Sequence, residues 1–333
     1  LHDILSKNPR MQEVFELIRK IAGLRSTVLI LGESGTGKEL VAGAIHESGD
    51  RKDAPFVHVA CAALAETLLE SELFGHEAGA FTGAAKTHIG HFERADGGTL
   101  ILDELATISL RMQEKVVRTI EYGEIQRVGG NETLQVDVRI VGSTNADLQH
   151  LADDGRFRKD LLDRLAFDVI TVPPLRERVE DILPLAHAFA INMASELKWS
   201  FFPGFSARAT SALLRNKWPG NVRELKFAVE RSVYRSTDPE QPIADIVFDA
   251  FDSPFKMAAP KAAATKPLRS RRTPLLPTDL QQRLNDTEVD LLEAALEKAR
   301  YNQRMAADLL NLSYHQFRGK LRKFDIRSKP AAN

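Results

Sequence analysis

Cysteine is nearly missing from this chain: Cys61 stands alone among 333 residues, which excludes an internal disulfide and suits a reduced cytoplasm. No apolar run approaches the roughly 18 residues that a membrane-spanning helix needs, so membrane insertion is not expected. Leu1–Arg10 lacks the layout of a secretory signal. Charge of either sign is not in excess, with 45 Lys and Arg against 46 Asp and Glu, so the average gives no hint of nucleic acid. That average conceals a gradient toward base near the C-terminus. What remains is ordinary for a soluble globular protein, 43% hydrophobic and 27% charged, with room for one large unit and one small one. Cys61 lies between Ala60 and Ala62 after a Phe-Val-His-Val strand and reads as a buried structural thiol rather than a nucleophile.

Thr27–Leu31 is a short β-branched and apolar run, the pattern of a strand buried on both faces. It feeds into Gly32-Glu33-Ser34-Gly35-Thr36-Gly37-Lys38, and an amphipathic helix is expected from Leu40 to about His46. Strand, glycine loop and helix make a P-loop: backbone N–H groups cradle the phosphates of ATP while Lys38 reaches the β and γ oxygens. Glu39 follows Lys38 where a Ser or Thr hydroxyl would normally meet Mg²⁺, and a carboxylate cannot play that role. The metal then falls to Asp103. Gly97–Asp103 is a second apolar strand ending in Asp103-Glu104, with Asp103 suited to Mg²⁺ and Glu104 to polarising the attacking water. Two acids there also fit a helix N-cap pair, and the upstream P-loop favours the catalytic reading. Val138–Ser143 is a further strand, ending in Thr144-Asn145.

Between these halves lies Gly79-Ala80-Phe81-Thr82-Gly83-Ala84. Two glycines permit tight turns, and the loop presents one ring and one hydroxyl. Such a loop builds no core; it suits a part that moves and touches something, though a plain surface hairpin is the alternative. His76, His88 and His91 surround it at a spacing that matches no metal pattern, so loop packing is expected of them. Arg158 and Arg164, six residues apart, read locally as surface charges paired with Asp160 and Asp163. Pro173-Pro174 closes the α/β part, residues 175–235 are expected to be helical, and Trp218–Leu225 sets Arg223 near a helix start.

From Phe251 to about Asp279 the chain is rich in Pro, Ala and base, including Lys261, Lys266, Arg269, Arg271 and Arg272, as a flexible cationic linker is. Helices are expected at Val289–Arg300, Gln303–Leu310 and, after a break at Asn311-Leu312-Ser313, Tyr314–Phe324. Ser313 is a good N-cap. Short helices around a tight turn read as a helix-turn-helix, and Arg318, Lys320, Arg322, Lys323, Arg327 and Lys329 face Asp325 alone, the bias of a DNA-recognition helix. A C-terminal bundle for dimerisation is the alternative, and both can hold.

The glycine hexapeptide, the Gly-Lys-Glu ending of the P-loop and the basic tail together resemble the bacterial AAA+ activators of sigma-54 RNA polymerase, over about Asp3 to Ile326. The resemblance implies an α/β fold: an AAA+ P-loop ATPase core with a parallel sheet and a helical lid, then a flexible linker and a small all-α Fis-type helix-turn-helix domain. Boundaries are expected at residues 1–174, 175–250, 251–284 and 285–333. It implies that residues 79–84 engage sigma-54, that Asn145 senses the γ-phosphate, that Arg223 senses nucleotide from the lid, and that Arg158 and Arg164 are fingers reaching ATP on a neighbouring subunit. Ser313, Tyr314, His315, Gln316, Arg318, Lys320 and Arg322 would meet enhancer DNA, placing the protein at the nucleoid. The subunits would form a ring, expected to be a hexamer, with dimer contacts through the tail.

Within the family, His76–Ala84, Asp163–Val169 and Tyr301–Arg304 are most similar to the subgroup serving phage-shock, or membrane-stress, promoters. Members of that subgroup open on the ATPase domain without a receiver or sensor, so control by a trans-acting negative regulator is expected. Ala60 departs from the family, which usually carries Asn there to restrain the catalytic Glu; hydrolysis would be less tightly gated, or another polar residue would substitute. An AAA+ remodeller acting on another protein and a DNA-bound motor such as a helicase loader are the competing functions, and a DNA motor would want basic residues where this chain has Phe81 and Thr82.

Overall fold

The computed structural model describes residues 4–249, 280–299 and 301–326. The chain divides into two units, Leu1–Pro254 and Phe255–Asn333. In chain order the first unit runs α1 (Pro9–Ala22), β1 (Val28–Leu31), α2 (Lys38–Glu47), β2 (Phe56–Ala60), α3 (Glu66–Phe74), α4 (His91–Arg94), β3 (Thr99–Asp103) and α5 (Leu110–Tyr122). It continues through β4 (Glu124–Gln126), β5 (Thr133–Gln135), β6 (Arg139–Thr144), α6 (Leu148–Asp153), α7 (Lys159–Leu165), β7 (Asp168–Thr171), α8 (Ile182–Glu196), α9 (Ala207–Arg215) and α10 (Asn221–Tyr234).

Strands β2-β3-β6-β1-β7 form one five-stranded sheet, and each pairing is parallel. Successive strand residues point to opposite faces, and the core divides accordingly. Leu29, Leu100, Leu102 and Ile140 pack with Phe74, Phe92, Met112, Val116, Leu161 and Leu165 of α3, α4, α5 and α7. Val28, Ile30, Ile101, Val141 and Ile170 pack against Met11, Phe15, Ile18, Val41 and Ile45 of α1 and α2. Both faces are covered, which is why the strands read as continuous apolar runs rather than as alternating ones. Thr27 stops short of β1 and instead donates its hydroxyl to the Arg164 carbonyl.

After Pro173-Pro174 the lid is less continuously helical than the sequence predicts. Leu175–Glu177 and Val179–Asp181 are single 3-10 turns, and residues 198–205 are irregular. The break has local causes: Lys198 has a φ of 60°, and Gly204 after Pro203 has a φ of 95°. Trp218 is fully buried in the lid core with Leu213, Leu225 and Val229, and its indole N–H donates to the Leu213 carbonyl at 2.9 Å.

In the second unit α11 (Leu280–Lys298), α12 (Gln303–Leu309) and α13 (Tyr314–Lys323) enclose Leu292, Leu296, Ala306, Ala307, Phe317 and Leu321. Helix α11 begins inside the segment expected to be linker. The basic positions Lys261, Lys266, Arg269, Arg271 and Arg272, together with Arg327 and Lys329, lie outside the described residues. Among the described residues no helix is long and apolar enough to cross a membrane.

Gly98 sets how closely the entry to β2 approaches β3. A Cβ there would lie 2.1 Å from the Pro55 carbonyl oxygen, a backbone atom that cannot swing aside. Gly98→Ala should therefore destabilise the first unit by about 1–3 kcal/mol, read as a lower urea midpoint at unchanged slope.

Candidate active site

Parallel strands deliver their C-terminal ends to one edge of the sheet. Leu31 pairs with Thr144 and Leu102 with Gly142, so Gly32, Asp103-Glu104 and Asn145 emerge side by side, and the Gly32 N–H donates to the Thr144 carbonyl at 3.3 Å. Beside Gly32 opens a cavity of about 450 Å³, which Ser34, Gly35, Gly37, Lys38, Glu39, Asp103, Glu104, Asn145 and Arg223 line. Gly37, in the left-handed region at φ 101°, is the N-cap that turns the loop into α2. That helix starts at Lys38, earlier than the sequence predicts. Burial pulls the Lys38 ammonium below its ordinary pKa while Asp103 and Glu104 oppose the change, and its Nζ donates to the Gly32 and Glu33 carbonyls.

Two residues of the phosphate-binding turn direct their side chains away from the cavity. Glu33 turns its carboxylate to the lid, where Arg176 and Asn221 hold its pKa at about 2 by hydrogen bonding. Thr36 is buried and donates its hydroxyl to the Glu33 carbonyl at 2.8 Å. Conversely, Leu40, Phe189, Val222, Lys226 and Phe227 line the cavity without having been singled out in the sequence. The apolar side chains among them suit a planar base, and the three- and four-residue steps from Arg223 to Lys226 and Phe227 on α10 were the available signal.

Asp103 accepts a hydrogen bond from the Ser143 hydroxyl of the neighbouring strand. Glu104 has left-handed backbone, φ 54°, and its carboxylate makes no hydrogen bond or ion pair among the described residues. Ala60, in register with Asp103, presents only a methyl, and no described side chain stands in for a polar restraint on Glu104. The Glu39 carboxylate lies 3.5 Å from His58 Nδ1. Asp103 is the carboxylate on this edge whose oxygens would suit a cation beside Lys38. Cys61 is buried, and burial together with the nearby acids pushes its thiol up to about 12, as a structural cysteine requires.

Arg158 and Arg164 both lie outside the set lining this cavity. Arg158 forks onto Asp160 at 2.7 and 3.0 Å, as the local reading expects. Arg164 pairs instead with Glu121 of α5 at 2.8 Å, because α5 packs along α7 and brings that carboxylate closer than Asp163. Both guanidinium groups remain partly exposed.

In the hexapeptide loop, Gly79 and Gly83 have φ of 84° and 107°, and open space surrounds the place of each missing Cβ. The Gly79 N–H donates to the Ala84 carbonyl, which closes the loop. Phe81 is exposed, touching the edge of the His76 ring at 4.9 Å, and Thr82 is exposed beside it. The base is firm: His76 bridges to His88 and Val128, while Arg127 binds Glu77 at 2.8 Å and Glu93 at 2.7 Å. Among the described residues no three His, Cys, Asp or Glu side chains converge as a metal site; His88 and His91 both approach Glu72 at 3.5 Å.

In the second unit, Ser313 and Gln316 form a capping box, each side chain bonded to the other's backbone N–H, so those groups are engaged in starting α13. Arg318 and Arg322, one turn apart, and His315 are exposed, and Tyr314 lies under the Arg304 guanidinium. Lys320 departs from the expectation of a free cation: its ammonium is bonded to Glu288 of α11, which also lies 3.9 Å from Lys323.

Comparison with known proteins agrees with this geometry. Residues 4–171 match the Sigma-54 interaction domain, residues 176–261 the AAA+ ATPase lid domain and residues 283–324 the Fis family of bacterial regulatory proteins. The chain is 52% identical to the Psp operon transcriptional activator of Escherichia coli strain K12, covering 97% of this chain and 98% of that one. It is 43% identical to the Nif-specific regulatory protein of Azotobacter vinelandii, covering 98% of this chain and 59% of the relative. The crystal structure of NtrX from Brucella abortus in complex with ADP superposes with a TM-score of 0.69 at 29% identity, covering 97% of this chain and 70% of that one.

Because Glu288 already neutralises Lys320, Arg318→Ala should weaken DNA binding more than Lys320→Ala does. We expect about a fivefold to tenfold loss for Arg318→Ala at low salt and less than about threefold for Lys320→Ala, measured by filter binding to duplex DNA.

Proposed function

Since the chain belongs to the sigma-54 interaction domain family of bacterial AAA+ activators, we propose that it opens phage-shock promoters as a ring of subunits whose Phe81-Thr82 loops work on sigma-54. It is an ATPase and a sigma-54-dependent transcriptional activator with a DNA-binding helix-turn-helix. The observation that carries the mechanism is the single cavity where Lys38, Asp103, Glu104, Asn145 and Arg223 meet.

ATP would lay its phosphates along the glycine turn, with its base against Phe189, Val222 and Phe227. Lys38 would bind the β and γ oxygens, and Asn145 and Arg223 would read the γ-phosphate from the sheet and the lid. Mg²⁺, held through Asp103 and the phosphates, would supply charge neutralisation when bound. Glu104, free of side-chain partners, would polarise the water that attacks the γ-phosphorus as ADP leaves. With Ala60 beside Asp103, nothing polar at that position would restrain it, so basal hydrolysis would be loosely gated.

Arg158 and Arg164 would act on the neighbouring subunit's ATP. Their exposure, away from their own cavity, supports that role, and such fingers are worth orders of magnitude in rate. A hexamer is the ring we propose, with further pairing through the tail. The phage-shock assignment rests on 52% identity to the Psp operon activator over nearly its full length. A trans-acting negative regulator would complete the control, and enhancer binding through Tyr314, His315, Arg318 and Arg322 would hold the protein at the nucleoid.

Three experiments test this reading. Arg164→Ala subunits mixed with Glu104→Ala subunits should recover part of the hydrolysis that neither has alone; mixtures that co-assemble and stay inactive would overturn the shared site. In a purified system with ATP, the protein should open a sigma-54 promoter and not a sigma-70 promoter. Thr82→Ala should keep hydrolysis within about twofold of wild type and lose promoter opening. Normal opening by Thr82→Ala, or loss of hydrolysis in parallel, would leave residues 79–84 as a structural hairpin.

A further inference from the structure

The lid grips the phosphate-binding turn from outside at four consecutive residues. Arg176 forks onto the Glu33 carboxylate at 2.6 and 2.8 Å, and Asn221 Nδ2 reaches the same carboxylate at 3.1 Å. Asn221 Nδ2 also donates to the Ser34 carbonyl at 3.0 Å. The Val222 and Arg223 N–H groups donate to the Gly35 carbonyl at 2.9 and 3.3 Å. Arg178, 2% exposed, donates to the Thr36 carbonyl at 2.8 Å.

Every acceptor belongs to the turn and every donor to the lid. The first N–H groups of a helix have no partner within it, and α10 spends two of them on the P-loop. The seating is close: a Cβ on Gly35 would stand 2.4 Å from the Gly220 carbonyl oxygen. Asn221 is fully buried at φ 52°, and its Oδ1 accepts from the Leu175 N–H, so one side chain joins the turn, the lid's entry and the start of α10. A phosphate needs the N–H side of the turn; these bonds hold the carbonyl side. The shape of the turn and the position of the lid therefore change together.

We propose that Arg176 and Asn221 are positioning residues for phosphoryl transfer, acting through Glu33 and the Ser34 carbonyl to hold the phosphate-binding turn in step with the lid. The inference rests on the reading of the cavity as the nucleotide site. Glu33 and Arg176 are each nearly half exposed, 43% and 46% by side chain, and neither belongs to a hydrophobic core. An ion pair that open to water contributes little to folding. Its bidentate geometry and its place on the turn then point to turnover, where a small misplacement of the phosphates is costly.

The test leaves buried Asn221 in place and uses the full chain with Glu33→Gln, Arg176→Gln, the double variant and Arg176→Lys. Steady-state hydrolysis gives kcat and KM, and calorimetric titration with ADP gives its dissociation constant. Each single variant should lower kcat about tenfold at saturating ATP while the ADP constant moves less than about threefold. The double variant should be no slower than the slower single one, and Arg176→Lys should recover part of kcat by restoring the charge without the fork. Wild-type kcat in either single variant, or losses that multiply in the double, would overturn the proposal. Lys38→Ala is the separate control: it should abolish ADP binding, and normal binding there would sink the nucleotide-site reading whatever the other variants do.

Discussion

The register of one parallel sheet is the constraint on which the site depends. Leu29, Leu100 and Leu102 must enter one helical layer while Val28, Ile30 and Ile101 enter the other. A slip by one residue would send each set to the wrong side. It would also move Asp103 out of line with Gly32 and Ser143, so the apolar alternation that fixes the core fixes the spacing between phosphate and acid. Burying each of these side chains stabilises the fold by about 1.5–3 kcal/mol, and the catalytic groups inherit the precision of that packing. The same edge carries Ala60, Cys61 and Glu104, so the point where the chain leaves β2 is tied to the point where it leaves β3.

Stability is distributed unevenly around that edge. The base of the 79–84 loop is tied by the His76 bridges and by Arg127 with its two carboxylates, and these ties face the segment around Val128. The tip holds little: Phe81 leans on one histidine ring, and a Cβ on Gly79 or Gly83 would meet nothing. Few buried contacts and open backbone mark a segment whose local opening costs little free energy. A rigid base with a loosely held tip can transmit a displacement of the site outward without disturbing the core.

What the sequence revealed and what it hid follow from how far apart the interacting residues are. The P-loop, the acidic pair, the double-proline stop, the two left-handed glycines and the Ser313 cap depend on neighbours within a few positions, and each was readable. The partners of Glu33 were not, because Arg176 and Asn221 lie 143 and 188 residues away and a P-loop pattern carries no information about them. Arg164 was assigned to nearby Asp163, yet helix packing supplied Glu121. The N-terminal half of α11 was hidden by Asn285-Asp286-Thr287, residues that favour caps and turns and read as a helix start, and the apolar wall of the cavity by its assembly from α2, α8 and α10. Lys320 looked free because Asp325 is the one acid between Ser313 and Lys329, and only the packing of α11 shows otherwise.

The Lys320–Glu288 pair alters what an ion count on DNA would mean. Each cation that meets a phosphate ordinarily displaces one condensed counterion, so the slope of affinity against salt numbers the contacts. Here the lysine arrives already compensated. Transferring Lys320 to a phosphate leaves the Glu288 carboxylate with Lys323 alone, at 3.9 Å, so part of its charge is met by cations from solution as the DNA sheds one. The two exchanges oppose each other, and the slope undercounts the phosphates that the helix touches.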